Sequence, residues 1–272
     1  NWLPKIAGSE VVIGIGLSEY VGAREDAAIT ASGNTISGRC LFVMDGKDAD
    51  AYILANKAGE LYLVDAKAKG ISVTELVTVD KTRPSIELNL DNVEAELLPG
   101  SESNQEVINK VLDAGRLMLA ADSIGASQII LDKAVAYSLE RKQFGRVIGS
   151  FQAVKHMCAE MAAELEPCHS MIWHAAHCYD HDPSQARLMA CHTKAHVSEV
   201  GQQISKTATE VHGGMGFTDE LGLHYWFKRI GLNRQLLGSP ELVREEAARI
   251  QNFDQSPAGG QSKKEVGNPL LV

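Results

Sequence analysis

The sequence predicts an α+β chain in which a small β-barrel or sandwich is followed by an antiparallel four-helix-type bundle. Three observations carry this reading. Residues 9–100 break into short apolar runs bounded by Gly, Asp, Lys and Pro; residues 104–253 switch to helical periodicity; and 272 residues are enough to bury a core for each. Residues 1–8 lead into the barrel, and residues 254–272, rich in Gly, Ser, Lys and Pro, read as a mobile tail.

The strand region opens with the apolar run Glu10 to Gly16, then a turn and alternation from Asn34 to Arg39. Ala51 to Asn56, Leu61 to Asp65 and Ile71 to Thr78 follow, with Pro84 and Pro99 as edges. Several short strands at close spacing imply a barrel or sandwich. From Gln105 the apolar residues recur as Val107, Val111, Leu112, Leu117, Leu119 and Ile124 and continue to about Leu139, which predicts one long helix. A second helix is predicted from Ser150 to Tyr179. A third, from Ser184 to Val211, is opened by Asp182-Pro183-Ser184 as a cap with Pro in the first turn. Two shorter helices, Asp219 to Leu237 and Pro240 to Asn252, complete the bundle. Long helices with short connections pack antiparallel.

Composition narrows the function. Lys and Arg number 26 against 35 Asp and Glu, a net charge of -9, which argues against general binding to nucleic acid or an anionic membrane. No run approaches the roughly 18 apolar residues of a membrane span. The five cysteines, Cys40, Cys158, Cys168, Cys178 and Cys191, are an odd number and four fall in helical patterns, which favours reduced thiols in a cytoplasm. His174 with Cys178, His177 with His181, and His192 with His196 each lie one helical turn apart, the spacing of a metal pair. No further carboxylate ligand and no base beside His192 accompany them, so packed or solvated side chains are expected and no metal. Gly14-Ile15-Gly16 lacks the third glycine and the following helix of a dinucleotide fingerprint.

Two segments interrupt the helices and carry the most information: Leu139-Glu140-Arg141-Lys142-Gln143-Phe144-Gly145-Arg146, and Glu210-Val211-His212-Gly213-Gly214-Met215-Gly216-Phe217. An Arg fork suits phosphate oxygens, and backbone without Cβ lets a diphosphate approach closely. Alone, the first is a solvated helix terminus and the second a glycine C-cap. In order with Phe151-Gln152 and Lys228-Arg229 they resemble the acyl-CoA dehydrogenase family of flavoenzymes, over nearly the whole chain to about Asn252.

That resemblance implies FAD between barrel and bundle, with its adenosine diphosphate half gripped by loops of a neighbouring subunit. The matching positions are Arg141, Gln143, Phe144, Gln152, Gly213 and Gly214, while Glu210 stands where the family usually has Gln. Asn1-Trp2-Leu3-Pro4-Lys5-Ile6-Ala7 looks like the link from an N-terminal helical domain absent from this chain. The flavin-facing barrel motif becomes Ser18-Glu19-Tyr20-Val21-Gly22-Ala23-Arg24-Glu25, and the family's Trp-Ile-Thr becomes Phe42-Val43-Met44, whose Met cannot donate a hydrogen bond to the ring.

Dehydrogenation of an acyl-CoA thioester in this family needs a carboxylate base. The two positions at which the family places it are occupied here by Leu237 and Gly115, so no catalytic residue is expected. The pattern is similar to the non-catalytic partner chain of two-gene bacterial acyl-CoA dehydrogenases, some acting on steroid side chains. It implies a homologous partner chain in a heterotetramer, or else a homo-oligomer, with an electron-transfer flavoprotein as acceptor. The alternatives are an active homo-oligomer using another base, with Asp122 and Glu220 as candidates, and a structural relic without flavin.

Overall fold

The computed structural model describes residues 2–17, 20, 27–102 and 104–253. A five-residue helix α1 (Leu3–Ala7) precedes the strands β1 (Ile13–Gly16), β2 (Ile29–Ser32), β3 (Thr35–Met44), β4 (Ala51–Ala55), β5 (Leu61–Asp65), β6 (Ile71–Leu76), β7 (Ser85–Glu94) and β8 (Glu96–Leu97). Among the described residues these form one eight-stranded sheet in the order β6-β7-β3-β1-β4-β5-β8, with β2 also on β3. The pairs are antiparallel except β1 with β4, where Ile13 to Gly16 run alongside Ala51 to Leu54. Inward residues alternate with outward ones along β7, where Ile86, Leu88 and Leu90 are buried and Glu87 and Asn89 are not. One apolar cluster takes residues from β2, β3, β4, β5 and β7, so the sheet curls around its own core. The bend is supplied by β3, whose register against β7 slips between Ile36 and Gly38 and again between Cys40 and Val43. Gly38 sits at φ +131, and a Cβ there would stand 2.1 Å from the Ala28 carbonyl oxygen, so the first bulge demands glycine.

The helical half is α2 (Gln105–Glu140), α3 (Gln152–His181), α4 (Pro183–His212), α5 (Leu223–Gln235) and α6 (Pro240–Ile250). Asn104 caps α2 by accepting from Glu106 N–H, and Asp182 caps α4 by accepting from Ser184 N–H at 3.2 Å. The last two helices are shorter than their periodicity predicts. Left-handed Gly222, φ +64, starts α5, and a turn with Leu237 at φ +56 and Gly238 at φ +107 separates it from α6. The bundle core joins Ile124 and Ile130 of α2, Leu165 of α3, Val197 and Ile204 of α4 and Ile230 of α5. Each such side chain, fully buried, stabilises by about 1.5–3 kcal/mol. The buried hydroxyls of Ser123 and Ser127 donate to carbonyls one turn back, so they enter the core without an unmade hydrogen bond.

A further apolar cluster seats the sheet on the bundle: Leu17 and Leu61 from the strands meet Ile108, Leu112, Leu236 and Leu237 from the helices. A polar clasp stands beside it. Asp122 of α2 accepts from Arg229 Nε at 2.8 Å and Asn233 Nδ2 at 2.6 Å, while Arg83, between β6 and β7, donates to Asn233 Oδ1 at 2.7 Å. No helix among the described residues is long and apolar enough to cross a membrane.

Candidate functional site

The two information-rich segments meet at one end of the bundle. α2 and α4 pack directly against each other and run parallel, α3 returning the chain between them in sequence, so their C-terminal ends lie together. His212, the last residue of α4, stacks on Tyr137 of α2 with ring centroids 4.6 Å apart.

Arg141 caps α2 in an extended conformation, its N–H donating to the Tyr137 carbonyl at 2.9 Å and its carbonyl accepting from Ile148 N–H at 2.8 Å. Lys142–Gln143 then pairs with Arg146–Val147 in a hairpin (β9 and β10) whose two turn residues, Phe144 at φ +52 and Gly145 at φ +78, are both left-handed. That is a type I′ turn, which favours Asn-Gly; a bulky aromatic at its first position is strained. Phe144 is also 92% exposed, touching edge-on only the Phe151 ring among aromatic partners, at 6.2 Å. Arg146 lies over the Phe151 face at 3.9 Å. Phe151 has no side-chain oxygen with which to cap α3, so no side chain caps the first N–H groups of that helix, which lie beside the Arg146 guanidinium. The exposed Gln143 and Gln152 amides turn to their own neighbourhood, Lys142 O at 2.7 Å and His156 Nε2 at 3.5 Å.

The glycines divide by cause. Gly213 has φ +57 and ψ -138, a conformation that belongs to glycine. At Gly216 a Cβ would lie 2.7 Å from the Thr209 carbonyl oxygen, so packing demands its absence. Gly214 is required by neither, since nothing lies within 4 Å of where its Cβ would be. The space beside Gly214 therefore remains open to a group from outside this chain. Exposed Glu210 keeps its carboxyl out of the core, and its carbonyl accepts from Gly213 N–H.

The positions expected of a base lie at the other end of α2, and they touch. A Cβ on Gly115 would stand 2.3 Å from Leu237 Cδ1, so the leucine side chain occupies the notch that the glycine leaves. Leu237 is 1% exposed and its carbonyl accepts from Arg116 Nε at 3.0 Å. Above them opens an apolar cleft of about 430 Å³ between sheet and bundle, lined by Ile15, Leu17, Met44, Val111 and Met118 beside the pair, with Lys110 and Tyr179 at its polar margin. Among the described residues no carboxylate lines it. Met44 thus faces the cleft without a donor, and Phe42 sits at φ +52 in the second β3 bulge. Ser18 and Arg24 lie outside the described residues. Of the two other candidate bases, Asp122 is engaged in the clasp. Burial pushes its carboxyl up, but hydrogen bonds from Arg229 and Asn233 hold it below the ordinary carboxylate range. Glu220 is exposed and away from the cleft lining.

Sequence reasoning did not find the charged cluster behind Leu237. Buried Arg116 donates to Glu246 Oε2 at 2.8 Å and to Cys191 Sγ at 3.3 Å, and Arg187 bridges Asp113 at 3.2 Å and Glu246. Burial pushes the Asp113 carboxyl up despite Arg187 and Arg116, and the Cys191 thiol up to about 12, so that thiol is inert. Lys194, 1% exposed, donates to the carbonyls of Asn233 at 2.7 Å and Arg234 at 3.1 Å, closing the C-terminal turn of α5. Burial, then Arg116 and Arg234, lower its amine to about 7. The His and Cys residues of α3 and α4 meet only in pairs, Cys178 with His174 at 3.7 Å and His177 with His181 at 4.8 Å between rings; among the described residues no three metal-ligating side chains converge.

Residues 105–251, more than half of the chain, match the family model of the acyl-CoA dehydrogenase C-terminal domain. The chain belongs to the acyl-CoA dehydrogenase family. It is 29% identical over 227 residues to acyl-CoA dehydrogenase IpdE2 of Mycolicibacterium smegmatis, covering 84% of this chain and 66% of that protein. To the caffeyl-CoA reductase-Etf complex subunit CarC of Acetobacterium woodii it is 33% identical, over 58% of this chain and 43% of the relative. The chain thus spans between under half and two thirds of the length of these relatives. In fold it superposes on a crystal structure of a putative acyl-CoA dehydrogenase from Mycobacterium smegmatis with TM-score 0.86 and 22% identity, covering 94% of this chain and 72% of the other. The barrel-then-bundle order is the fold of this family.

Proposed function

We propose that this chain is a subunit of an FAD-dependent acyl-CoA dehydrogenase assembly, in which it grips the FAD diphosphate with Arg141, Gln143, Phe144, Gln152, Gly213 and Gly214 while the flavin and the base belong to a homologous partner chain. The observation that carries this is distance. The diphosphate-suited loops begin at residue 140 and the cleft lies at residue 115 of the same helix, ~37 Å away at 1.5 Å per residue. One extended dinucleotide does not bridge that span within a single chain. A cofactor held at the loops therefore places its flavin in another subunit.

The two halves of FAD fare differently against the side chains present. Two Arg groups, the uncapped start of α3 and the vacant volume at Gly214 fit a diphosphate. The described lining of the cleft does not suit the isoalloxazine: the side chains of Met44, Leu237 and Ile15 offer it no donor, and among the described residues no carboxylate stands ready to take a proton. FAD supplies the family's hydride acceptor; this chain's own residues contribute binding and orientation at the diphosphate end. The similarity to a subunit of a complex that includes Etf supports an electron-transfer flavoprotein as acceptor and an acyl-CoA as substrate.

The test is to purify the chain alone and together with the chains it assembles with, count flavin per chain, and assay a panel of acyl-CoAs with an artificial electron acceptor. Little turnover from the isolated chain, and full turnover with fewer flavins than chains in the assembly, are expected. Robust activity from the isolated chain would overturn the reading.

A further inference from the structure

We infer that His212 is the positioning residue of the diphosphate grip, fixing the spacing between the Arg141 hairpin and the Gly213-Gly214 turn; this rests on the reading above. The two loops are far apart in the chain, and the hairpin's backbone bonds, Arg141 N–H to the Tyr137 carbonyl and Ile148 N–H to the Arg141 carbonyl, tie it to α2 and to itself but not to α4. His212 is 5% exposed at the seam between them. Its Nδ1 lies 2.7 Å from the Ala208 carbonyl oxygen, one turn back on α4. Burial is the largest influence on the ring and leaves its pKa lowered, against the raising effect of the Ala208 carbonyl. The ring face stacks on Tyr137, whose carbonyl anchors Arg141. The imidazole thus touches the last turn of α2 and the last turn of α4 at once, and the next residue in the chain is Gly213. Gly216 folds back so closely that a Cβ there would come within 3.2 Å of His212 Cβ, which packs the glycine turn against the end of α4. An apolar replacement would leave a buried carbonyl unmatched at this seam, and a small one would let the loops separate. Because a bidentate phosphate contact is sensitive to displacement of either jaw, loss at His212 is transmitted to the ligand without any contact with it.

The experiment is an equilibrium titration with FAD, at a temperature where every variant is folded by near-ultraviolet circular dichroism, on the protein assembled with its partner chains. His212→Ala is expected to weaken retention about three- to tenfold, the loss of a buried neutral hydrogen bond. His212→Phe, which keeps the stack on Tyr137 that joins α4 to α2, is expected to recover part of it, and His212→Asn, which keeps only the bond to Ala208 within α4, is not. In combination with Arg141→Ala the two effects should be less than additive, because both act on one grip. Unchanged affinity in His212→Ala while Arg141→Ala weakens binding would overturn the inference and leave the site reading intact. Unchanged affinity in Arg141→Ala would overturn the site reading, and the inference with it. Weakening with no rescue by Phe and full additivity with Arg141→Ala would reduce His212 to a general packing role and likewise overturn it. Should His212→Ala fail to fold, the Asn and Phe pair decides, with equal affinities counting against the proposal.

Discussion

Replacing Gly115 and Leu237, singly and together, measures directly whether the emptied base positions have become a packing joint. Leu237 is 1% exposed, so Leu237→Ala is expected to destabilise by about 2–5 kcal/mol, the usual range for truncating a buried leucine. Gly115→Ala has two opposed terms. Within a helix alanine is favoured over glycine by about 1 kcal/mol. The new methyl, however, would stand 2.3 Å from Leu237 Cδ1, and the leucine cannot retreat freely: its carbonyl is held by Arg116 at 3.0 Å and its backbone is already left-handed at φ +56. Overpacking of that kind costs about 1–3 kcal/mol, so the single variant should be destabilised by roughly 0–2 kcal/mol. With Leu237 truncated the clash disappears, the methyl enters the vacated volume, and Gly115→Ala should become stabilising by about 1 kcal/mol. The cycle therefore predicts a coupling of about 1–3 kcal/mol, read from urea unfolding followed by far-ultraviolet circular dichroism. Additivity within about 0.5 kcal/mol would show that the side chains do not interlock and would refute the argument.

Three further outcomes are expected. Arg141→Ala should lower FAD affinity by about 1.5–3 kcal/mol, a charge-assisted phosphate contact, with titration of the assembled protein as the check; an unchanged affinity would make Arg141 an ordinary surface charge. Leu237→Glu should not by itself restore dehydrogenation, because its carboxyl enters an apolar cleft where burial raises its pKa and Met44 offers the flavin no donor; rapid anaerobic flavin bleaching by an acyl-CoA in this variant alone would show the contrary. Lys194 is lowered from 10.5 to about 7 by burial, so between those values the unfolded chain holds a proton the folded chain lacks; the penalty is complete at pH 7 and below and is relieved as pH rises toward 10.5. Relative to Lys194→Met, the wild type should gain stability on going from pH 7 to pH 10 in denaturant titrations, and a flat difference would contradict the assigned burial of the charge.

What was legible in the sequence was local. The long helices follow from their apolar period, and the start of α4 from Asp182 and Pro183, because a cap acts within one turn. The strand β7 carries the plainest alternation of all, Ile86, Leu88 and Leu90, behind a proline that marks its entry. The apposition of Gly115 with Leu237 was not legible, since the two positions are distant in sequence and only the sheet-to-bundle cluster brings them together. Lys194 likewise reads as one more polar residue of an amphipathic helix, and its partners are carbonyls, which carry no signature in the side-chain sequence. The same holds for His212, whose acceptor is a main-chain oxygen. Asp122 looked available as a base for the opposite reason: its three guanidinium and amide partners come from a loop and a helix far along the chain.

The 36 residues of α2 act as a rigid spacer between two chemically unrelated ends. On the proposed reading, a site assembled across such spacers fails by halves. A subunit damaged only at its cleft still serves its neighbour, and one damaged only at its hairpin still carries chemistry if a neighbour lends the missing jaw. On that reading, two inactive chains, each defective at a different end, would complement one another on mixing.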